Sequence, residues 1–254
     1  MKNRIKLFVV IIIAITMLVS SASAAAAPPV TQPNTKLILA NNIRTIETEL
    51  NAKHSNVVTL LKNQITNYQR SLYSEVNEAK RDQLKGLISG TYQLLSSYIN
   101  YRNNTNGNNP TPNGIYDDIY SPAVAAVVAW FLLKGYDLAA ELLTHATLNN
   151  STTDVYYPYY GYKVANSWIY LNIVMYAPYG SGSGCFPNSG STDDKDLYYA
   201  IHGFNFLKTT NSIVITDRYD YELSDMGGLE GIAVNTMYYA QVIGVIVPYD
   251  VVIN

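Results

Sequence analysis

The amino-acid sequence predicts an α+β fold, in which an N-terminal helical hairpin or coiled-coil-like segment precedes a helical layer packed on a small antiparallel sheet. Three observations favour this class. Between residues 40 and 101, apolar residues recur at three- and four-residue steps, the period of an amphipathic helix. The run AVAAVVAWFLL after residue 122 is apolar all round, as in a buried helix. Residues 197–206 and 213–221 are rich in β-branched and aromatic residues, which is typical of paired strands.

Residues 1–24 have the pattern of a secretory signal peptide. Three basic residues among the first six precede an apolar run at 7–19, which is too short for a comfortable membrane span. Small residues at 22–24 then offer a cleavage site. The alternative is an uncleaved anchor. We therefore expect an exported bacterial protein that is secreted to the extracellular side.

Charge is divided unevenly along the chain. Residues 36–102 contain nine Lys or Arg and five Asp or Glu, whereas residues 103–254 contain five and fourteen. A basic helical half suits association with an anionic cell surface, and an acidic half suits the binding of a cation. Because the basic half has few aromatic residues and a modest net charge, the sequence predicts no nucleic-acid partner.

The N-terminal half begins with a Pro-rich linker at 25–39 and continues as the helical region 40–101. The apolar pattern of this region predicts two helices, or one long helix bent near 77–82. A helical hairpin of this kind can also pair with other copies, so a homo-oligomer through residues 40–101 is one predicted partner arrangement.

An Asn-, Gly- and Pro-rich stretch at 102–120 is the predicted linker to a C-terminal α+β domain at 121–254. That domain should open with a buried helix, because Ser121 and Pro122 form a helix start and Gly135 a helix stop. Asp137 can cap the following helix.

Tyrosines crowd the next stretch, at 154–163. Tyr side chains provide contact area at low entropic cost, so this loop predicts a surface for carbohydrate or protein. Its candidate binding residues are Tyr156, Tyr157, Tyr159 and Tyr160. Residues 164–177 should form a buried helix, or alternatively a strand, and the Gly/Ser-rich residues 178–192 a flexible loop. Cys185, in that loop, is the single cysteine of the chain. The sequence is compatible with an inert thiol and with a reactive one.

The strongest candidate site follows the second predicted strand, where D-x-Y-D-Y-E ends the hairpin. Closely spaced carboxylates repel each other, and a hard cation such as Mg²⁺ or Ca²⁺ relieves that repulsion through oxygen ligands. The predicted metal ligands are Asp217, Asp220 and Asp225. Paired carboxylates also suit acid–base catalysis when one is desolvated. The alternative is a solvated acidic loop in which Arg218 pairs with its neighbours.

Residues 217–220, with the order Asp-Arg-Tyr-Asp, resemble the motif of colicin M-type bacteriocins and exported bacterial toxin-like domains. That resemblance implies a metal-dependent phosphodiesterase that cleaves a cell-envelope precursor, with an α/β activity domain. It also implies catalytic roles for Asp217, Tyr219 and Asp220. The family's His-Arg pair is replaced by Met226-Gly227, and His202 on the preceding predicted strand is the candidate replacement for the missing His.

These observations predict two functions that belong to different classes. The first is a toxin-like hydrolase with catalytic residues Asp217, Tyr219, Asp220 and His202. His202 is equally open to a packed, hydrogen-bonded role. The second is a non-catalytic extracellular protein that binds its ligand through the Tyr-rich loop.

Overall fold

The computed structural model describes residues 32–105 and 119–254. The predicted signal peptide lies outside the described residues, as do residues 25–31 of the first predicted linker and residues 106–118 of the second. Residues 32–39, predicted as part of the first linker, are instead helical. Residues from Pro33 to Asn254 form one compact unit. Within it, helices pack with one small sheet, so the predicted α+β class is confirmed.

Within residues 32–105, the structure describes three helices: α1 Gln32–Ala52, α2 Val57–Ser74 and α3 Glu78–Thr105. The break between α2 and α3 lies close to the bend predicted near 77–82. The break between α1 and α2 was not predicted. His54 adopts a positive φ of 54° there, and the Asn56 side chain caps α2 by accepting a hydrogen bond from the Thr59 N–H at 2.9 Å.

The next helix, α4 (Tyr120–Lys134), forms the centre of the core. Its apolar sequence predicts burial, and the residues from Ala123 to Phe131 are indeed almost fully buried. Helices α2 and α3 pack against it from the N-terminal half, while α5 (Asp137–Ala146) and α8 (Gly228–Val242) pack against it from the C-terminal half. Helices on both sides of the predicted linker at 102–120 therefore share one hydrophobic core.

The five strands are β1 Val155–Tyr156, β2 Gly180–Cys185, β3 Gly203–Lys208, β4 Ile213–Tyr219 and β5 Tyr249–Ile253. Their order in the sheet is β1-β5-β4-β3-β2, and β1 pairs with β5 in parallel while the other pairs are antiparallel. The sheet is therefore mixed rather than purely antiparallel. The predicted hairpin is present as β3 and β4.

The predicted strand at 197–206 is wrong over its first half, which belongs to helix α7 (Thr192–Ile201). Ser191 and Asp194 form a capping box at its start. Leu197, Ala200 and Ile201 then share one buried helical face at steps of three and four residues. The strand begins only at Gly203.

The Gly/Ser-rich segment predicted as a flexible loop contains the edge strand β2. A Cβ atom on Gly182 would lie 2.3 Å from the Phe206 ring, and one on Gly184 would lie 2.6 Å from the Phe204 ring. The two rings therefore cover the glycines, which is why this sequence is held as a strand.

The predicted buried helix at 164–177 is wrong in extent. The chain is helical in α6 (Tyr162–Ala165), breaks at residues 166–167, and is helical again from Trp168 through a π-helical turn at Tyr170–Val174. Several large apolar side chains along this stretch are exposed, among them Trp168, Leu171, Met175 and Tyr176. None of the helices in the described ranges 32–105 and 119–254 is long and apolar enough to cross a membrane.

Candidate functional site

The D-x-Y-D residues lie at the end of β4, between β3 and β5. In the register of the sheet, Asp217 is opposite Val251 and Tyr219 is opposite Tyr249. Strand alternation puts Asp217 on the same face as Ile215 and Tyr219, both of which are buried. A carboxyl group therefore lies on the core-facing side of the strand, close to where the strand ends.

A cavity of about 420 Å³ opens at this point, and we call it the β4-end cavity. Its walls come from the end of α7, from β4 and the loop that follows, and from α8. All the sequence-predicted catalytic and metal-ligating residues line it, namely His202, Asp217, Tyr219, Asp220 and Asp225. Tyr198, Tyr221, Glu222 and Met226 are further members of the lining.

Among the carboxyl groups that line this cavity, Asp217 has the most strongly shifted pKa. Burial raises the pKa of Asp217 to about 8, the nearby charges of Asp220 and Asp250 act in the same direction, and the N–H of Arg218 opposes them. At neutral pH the folded protein therefore holds this carboxyl largely in its protonated form. A protonated carboxyl group in a cavity can donate a proton.

Asp220 has a different environment, since its side chain lies at the exposed rim. Burial also raises the pKa of Asp220, the Arg218 charge lowers it, and Glu222 raises it. Arg218 itself is held on β5, 2.8 Å from the Asp250 carboxylate and 2.7 Å from the Thr152 carbonyl. The guanidinium is thus paired across the sheet rather than within the acidic loop.

Tyr219 is buried beneath the cavity, and its hydroxyl lies 2.6 Å from that of Tyr221. Its ring packs against Tyr249, whose hydroxyl donates to the carbonyl of Leu142 at 2.7 Å. Burial raises the pKa of Tyr219 well above its usual value. These contacts make Tyr219 a positioning residue beneath the carboxyl groups.

His202 lies at the C-terminal end of α7 rather than on a strand, so its predicted location was wrong in detail. It nevertheless lines the β4-end cavity. Its ring is 4.7 Å from the ring of Tyr198 in a T-shaped contact, and the Tyr198 hydroxyl donates to Met226 Sδ at 3.4 Å. His202 is exposed to solvent at the cavity wall.

Two amide side chains on α8 hold the loop that follows β4, and the sequence interpretation missed both. Gln241 accepts from the Tyr221 N–H at 2.9 Å and donates to the Tyr221 carbonyl at 3.2 Å. Asn235 does the same for Ser224, at 2.7 and 3.0 Å. The acidic loop is therefore tied to α8 at two points. Because Asn235 and Gln241 are six positions apart, they do not share one face of the helix, and no local pattern indicated this role.

The predicted metal site stays a prediction. Within the described residues, no group of three or more His, Cys, Asp or Glu side chains is placed so that it could hold a metal ion. Asp217, Asp220 and Asp225 share the cavity without forming such a group. We therefore derive no chemical step through a bound cation.

Three of the four tyrosines predicted to bind a ligand, Tyr156, Tyr159 and Tyr160, donate hydrogen bonds to Glu141, which is fully buried. Its carboxylate accepts from the Tyr156 hydroxyl at 2.7 Å and from the N–H groups of Tyr159 and Tyr160 at 2.5 and 2.8 Å. Burial raises the pKa of Glu141 to about 7, and these hydrogen bonds oppose the shift. Of the four, Tyr157 is the one that is more than half exposed.

Comparison with known proteins gives no match: no family model, no curated protein and no solved structure. The resemblance of residues 217–220 to colicin M-type bacteriocins therefore stays a prediction. The residues that line the β4-end cavity are therefore the basis for inferring a function.

Proposed function

We propose that the protein is an exported hydrolase directed at the cell envelope, which uses general acid–base catalysis in the β4-end cavity. One observation carries the proposal. Asp217 and Asp220 line one cavity in unlike environments, and burial raises the pKa of Asp217 to about 8. Two carboxyl groups whose environments differ can divide the roles of acid and base.

In this mechanism, protonated Asp217 is the general acid. It donates its proton to the leaving-group oxygen as the bond to that oxygen breaks. Asp220 is at the solvent-exposed rim, where the Arg218 charge favours its ionised form. It accepts a proton from the attacking water, whose oxygen forms the new bond. His202, at the cavity wall, is a hydrogen-bonding partner for the substrate.

The charge of the cavity favours an uncharged linkage in the substrate. Four carboxyl groups line it, and its Arg218 side chain is already paired with Asp250. A phosphodiester anion would be repelled by ionised carboxylates without a cation to screen them. A glycosidic bond of an envelope polysaccharide carries no such charge, and Tyr198 and Tyr221 offer aromatic surface to a sugar ring.

The toxin-like phosphodiesterase is the second candidate, because all three matched motif residues line the same cavity. A substrate panel separates the two. The purified protein is assayed on peptidoglycan and other envelope polysaccharides, and on lipid-linked phosphodiesters, each with Mg²⁺, with Ca²⁺ or with chelator. Polysaccharide cleavage that persists in chelator supports the acid–base proposal, and phosphodiester cleavage that depends on metal supports the second candidate.

Variants then test the catalytic residues. Asp217→Asn keeps the shape of the side chain but cannot deliver the acid proton, so the rate should fall by a factor of about 10² to 10⁴. Asp82→Asn on the exposed face of α3 is the control and should retain full activity. Full activity in Asp217→Asn, or no hydrolysis of any panel member by the wild-type protein, contradicts the proposal.

A non-catalytic binding function is favoured by a different observation. Tyr157 and Tyr162 are 51% and 60% exposed on the segment that surrounds Glu141. If the protein is a binder, Tyr157→Ser and Tyr162→Ser weaken retention on envelope polysaccharide while Asp217→Asn binds normally. Normal retention of both Tyr variants, together with lost hydrolysis in Asp217→Asn, favours the hydrolase.

A further inference from the structure

The strand β2 is one edge of the sheet, because the strand order ends β4-β3-β2. An edge strand presents unpaired N–H and C=O groups, and proteins commonly protect such edges with Lys, Pro or a bulge. The sequence of β2, Gly-Ser-Gly-Ser-Gly-Cys, contains none of these protecting residues. It pairs with β3 over its whole length in a regular register, so its other edge is straight enough to receive another strand.

The stretch around β2 carries no charge. Residues 164–192 contain no Asp, Glu, Lys, Arg or His, although the half of the chain from residue 103 carries fourteen acidic and five basic residues. In a two-fold symmetric contact, each copy presents the same surface, so any net charge on that surface would face its own like charge. The stretch 164–192 is where two acidic copies can meet without that repulsion.

Apolar side chains border the strand on its N-terminal side. Trp168 is 61% exposed, Tyr176 is 82% exposed and Tyr179 is 71% exposed. The Lys208 amino group on β3 donates to the carbonyls of Met175 and Ala177, the latter at 2.9 Å, and so ties this stretch to the sheet. These exposed side chains are available for contact with a second chain that pairs along β2.

We propose that two copies of this chain associate through β2, pairing the strands antiparallel about a two-fold axis to form one continuous ten-stranded sheet. Antiparallel pairing of identical strands is self-complementary, because the N–H and C=O groups that alternate along the edge of one copy face the C=O and N–H groups of the other copy. The apolar stretch before β2 in one copy then lies against the uncharged residues that follow β2 in the other. A second copy thus pairs with the open backbone edge and covers the exposed apolar side chains. It does so at a surface that carries no charge to repel it.

This surface differs from the helical region 40–101, which the sequence pattern predicted as the contact. The apolar side chains that form the helical period of that region, such as Leu50 and Leu61, are buried in the core of the same chain, and Tyr73 and Val76 remain exposed. Self-association through β2 is independent of the proposed hydrolase activity, since β2 lies outside the lining of the β4-end cavity.

Sedimentation velocity and light scattering of the purified protein test this proposal, in reducing buffer so that the exposed Cys185 does not cross-link the copies. As its concentration is raised to about 100 µM, the wild-type protein should form a dimer with a measurable dissociation constant. Ser183→Lys puts a charge on the exposed side of β2 and should raise that constant at least about tenfold. Asn67→Lys adds the same charge on the exposed face of α2 and should leave it unchanged.

A second pair of variants tests the apolar stretch. Tyr176→Ser should weaken the dimer, whereas Tyr73→Ser, at a position 93% exposed on α2, should not. Circular dichroism melting shows that each variant remains folded. A wild-type protein that stays monomeric over the whole range overturns the proposal, as does a dimer whose dissociation constant is unchanged by both Ser183→Lys and Tyr176→Ser.

Discussion

The Lys163 ammonium lies 2.7 Å from the Asp196 carboxylate, in a buried ion pair between α6 and α7. Asp196 also accepts hydrogen bonds from the N–H groups of Leu138 and Ala139, at 3.1 and 2.8 Å, so it caps the N-terminus of α5 from another helix. Asp137, in the first turn of α5, is 3.2 Å from the same ammonium. This cluster fixes α7 against α5, and the C-terminal end of α7 carries His202 into the β4-end cavity.

Replacing Lys163 by Met should therefore destabilise the protein strongly. The substitution leaves the buried Asp196 carboxylate without its cation, which costs about 3–5 kcal/mol in the free energy of unfolding. Burial raises the pKa of Asp196 to about 6, and Lys163 and the two N–H groups oppose that shift. The loss should be smaller at pH 5, where Asp196 is protonated more readily, than at pH 8.

Urea unfolding at both pH values measures this difference. Lys85→Met removes an exposed partner of Asp82 and is the control, with a change below about 1 kcal/mol. Equal, small losses for both variants would contradict a structural role for the buried pair.

Replacing Glu141 by Gln should destabilise the Tyr-rich segment. Both carboxylate oxygens accept hydrogen bonds, from the Tyr156 hydroxyl and from the Tyr159 and Tyr160 N–H groups. The amide of Gln would point a donor at a donor, at a cost of about 1–3 kcal/mol. Thermal unfolding measures it, and the exposed Glu78→Gln on α3 is the control. A melting temperature unchanged from wild type would argue against these hydrogen bonds.

Asp217 should make stability depend on pH with a definite sign. Because its folded-state pKa is raised from 3.8 to about 8, the folded state binds the proton more tightly than the unfolded state. The stabilisation is fully present below pH 4 and is lost as the pH rises through 8. Asp217→Asn removes the ionisable group, so it should be more stable than wild type at pH 9, by about 1–2 kcal/mol after allowance for the partial exposure of the side chain.

The measurement is the free energy of unfolding from urea titrations between pH 4 and 9, compared for wild type and Asp217→Asn. Asp225→Asn, exposed on the same loop, is the control. Parallel pH curves for wild type and Asp217→Asn would show that Asp217 titrates at its ordinary pKa.

Gly182→Ala should destabilise the sheet. Its Cβ would lie 2.3 Å from the Phe206 ring, so the ring must move out of its packing at a cost of about 1–3 kcal/mol. Gly203→Ala is a matched control on the neighbouring strand β3, where a Cβ meets nothing within 4 Å. Urea unfolding of both variants measures the difference, and an equal effect of the two would mean that the ring does not hold the strand.

Gln241→Leu should loosen the loop that carries the acidic residues. The substitution removes the paired hydrogen bonds to Tyr221, at 2.9 and 3.2 Å. The Tyr221 N–H should then exchange with solvent about tenfold faster or more. Hydrogen exchange measures it, with the exposed Gln93→Leu on α3 as the control. Unchanged exchange at Tyr221 would show that α8 does not hold this loop.

The sequence predicted correctly those helices and strands whose formation depends on residues close together in the chain. The apolar period of residues 40–101 predicted helices, and the apolar run of α4 predicted its burial, because both depend on which face of a helix avoids water. The β3–β4 hairpin was predicted in the same way. The helix α7 was misread as a strand because its aromatic and β-branched residues suggested one, whereas the capping box at Ser191 and Asp194 was the better signal.

Elements that depend on distant residues were missed. The sequence of β2 reads as a flexible linker, and only the Phe204 and Phe206 rings, twenty or more positions along the chain, convert it into a strand. The contact of the Tyr-rich loop with Glu141 was also missed: the buried carboxylate needs hydrogen-bond donors, and Tyr156, Tyr159 and Tyr160 provide them.

The sequence by itself determined that Asp217 and Asp220, three positions apart, lie at the end of a strand, and that the second half of the chain is acidic. Only the tertiary structure decided that His202, from the end of a helix, joins them in one cavity. It also decided that the Asp217 carboxyl is buried enough for its pKa to rise to about 8. Burial depends on which distant side chains cover a group, and a local pattern of residues does not contain that information.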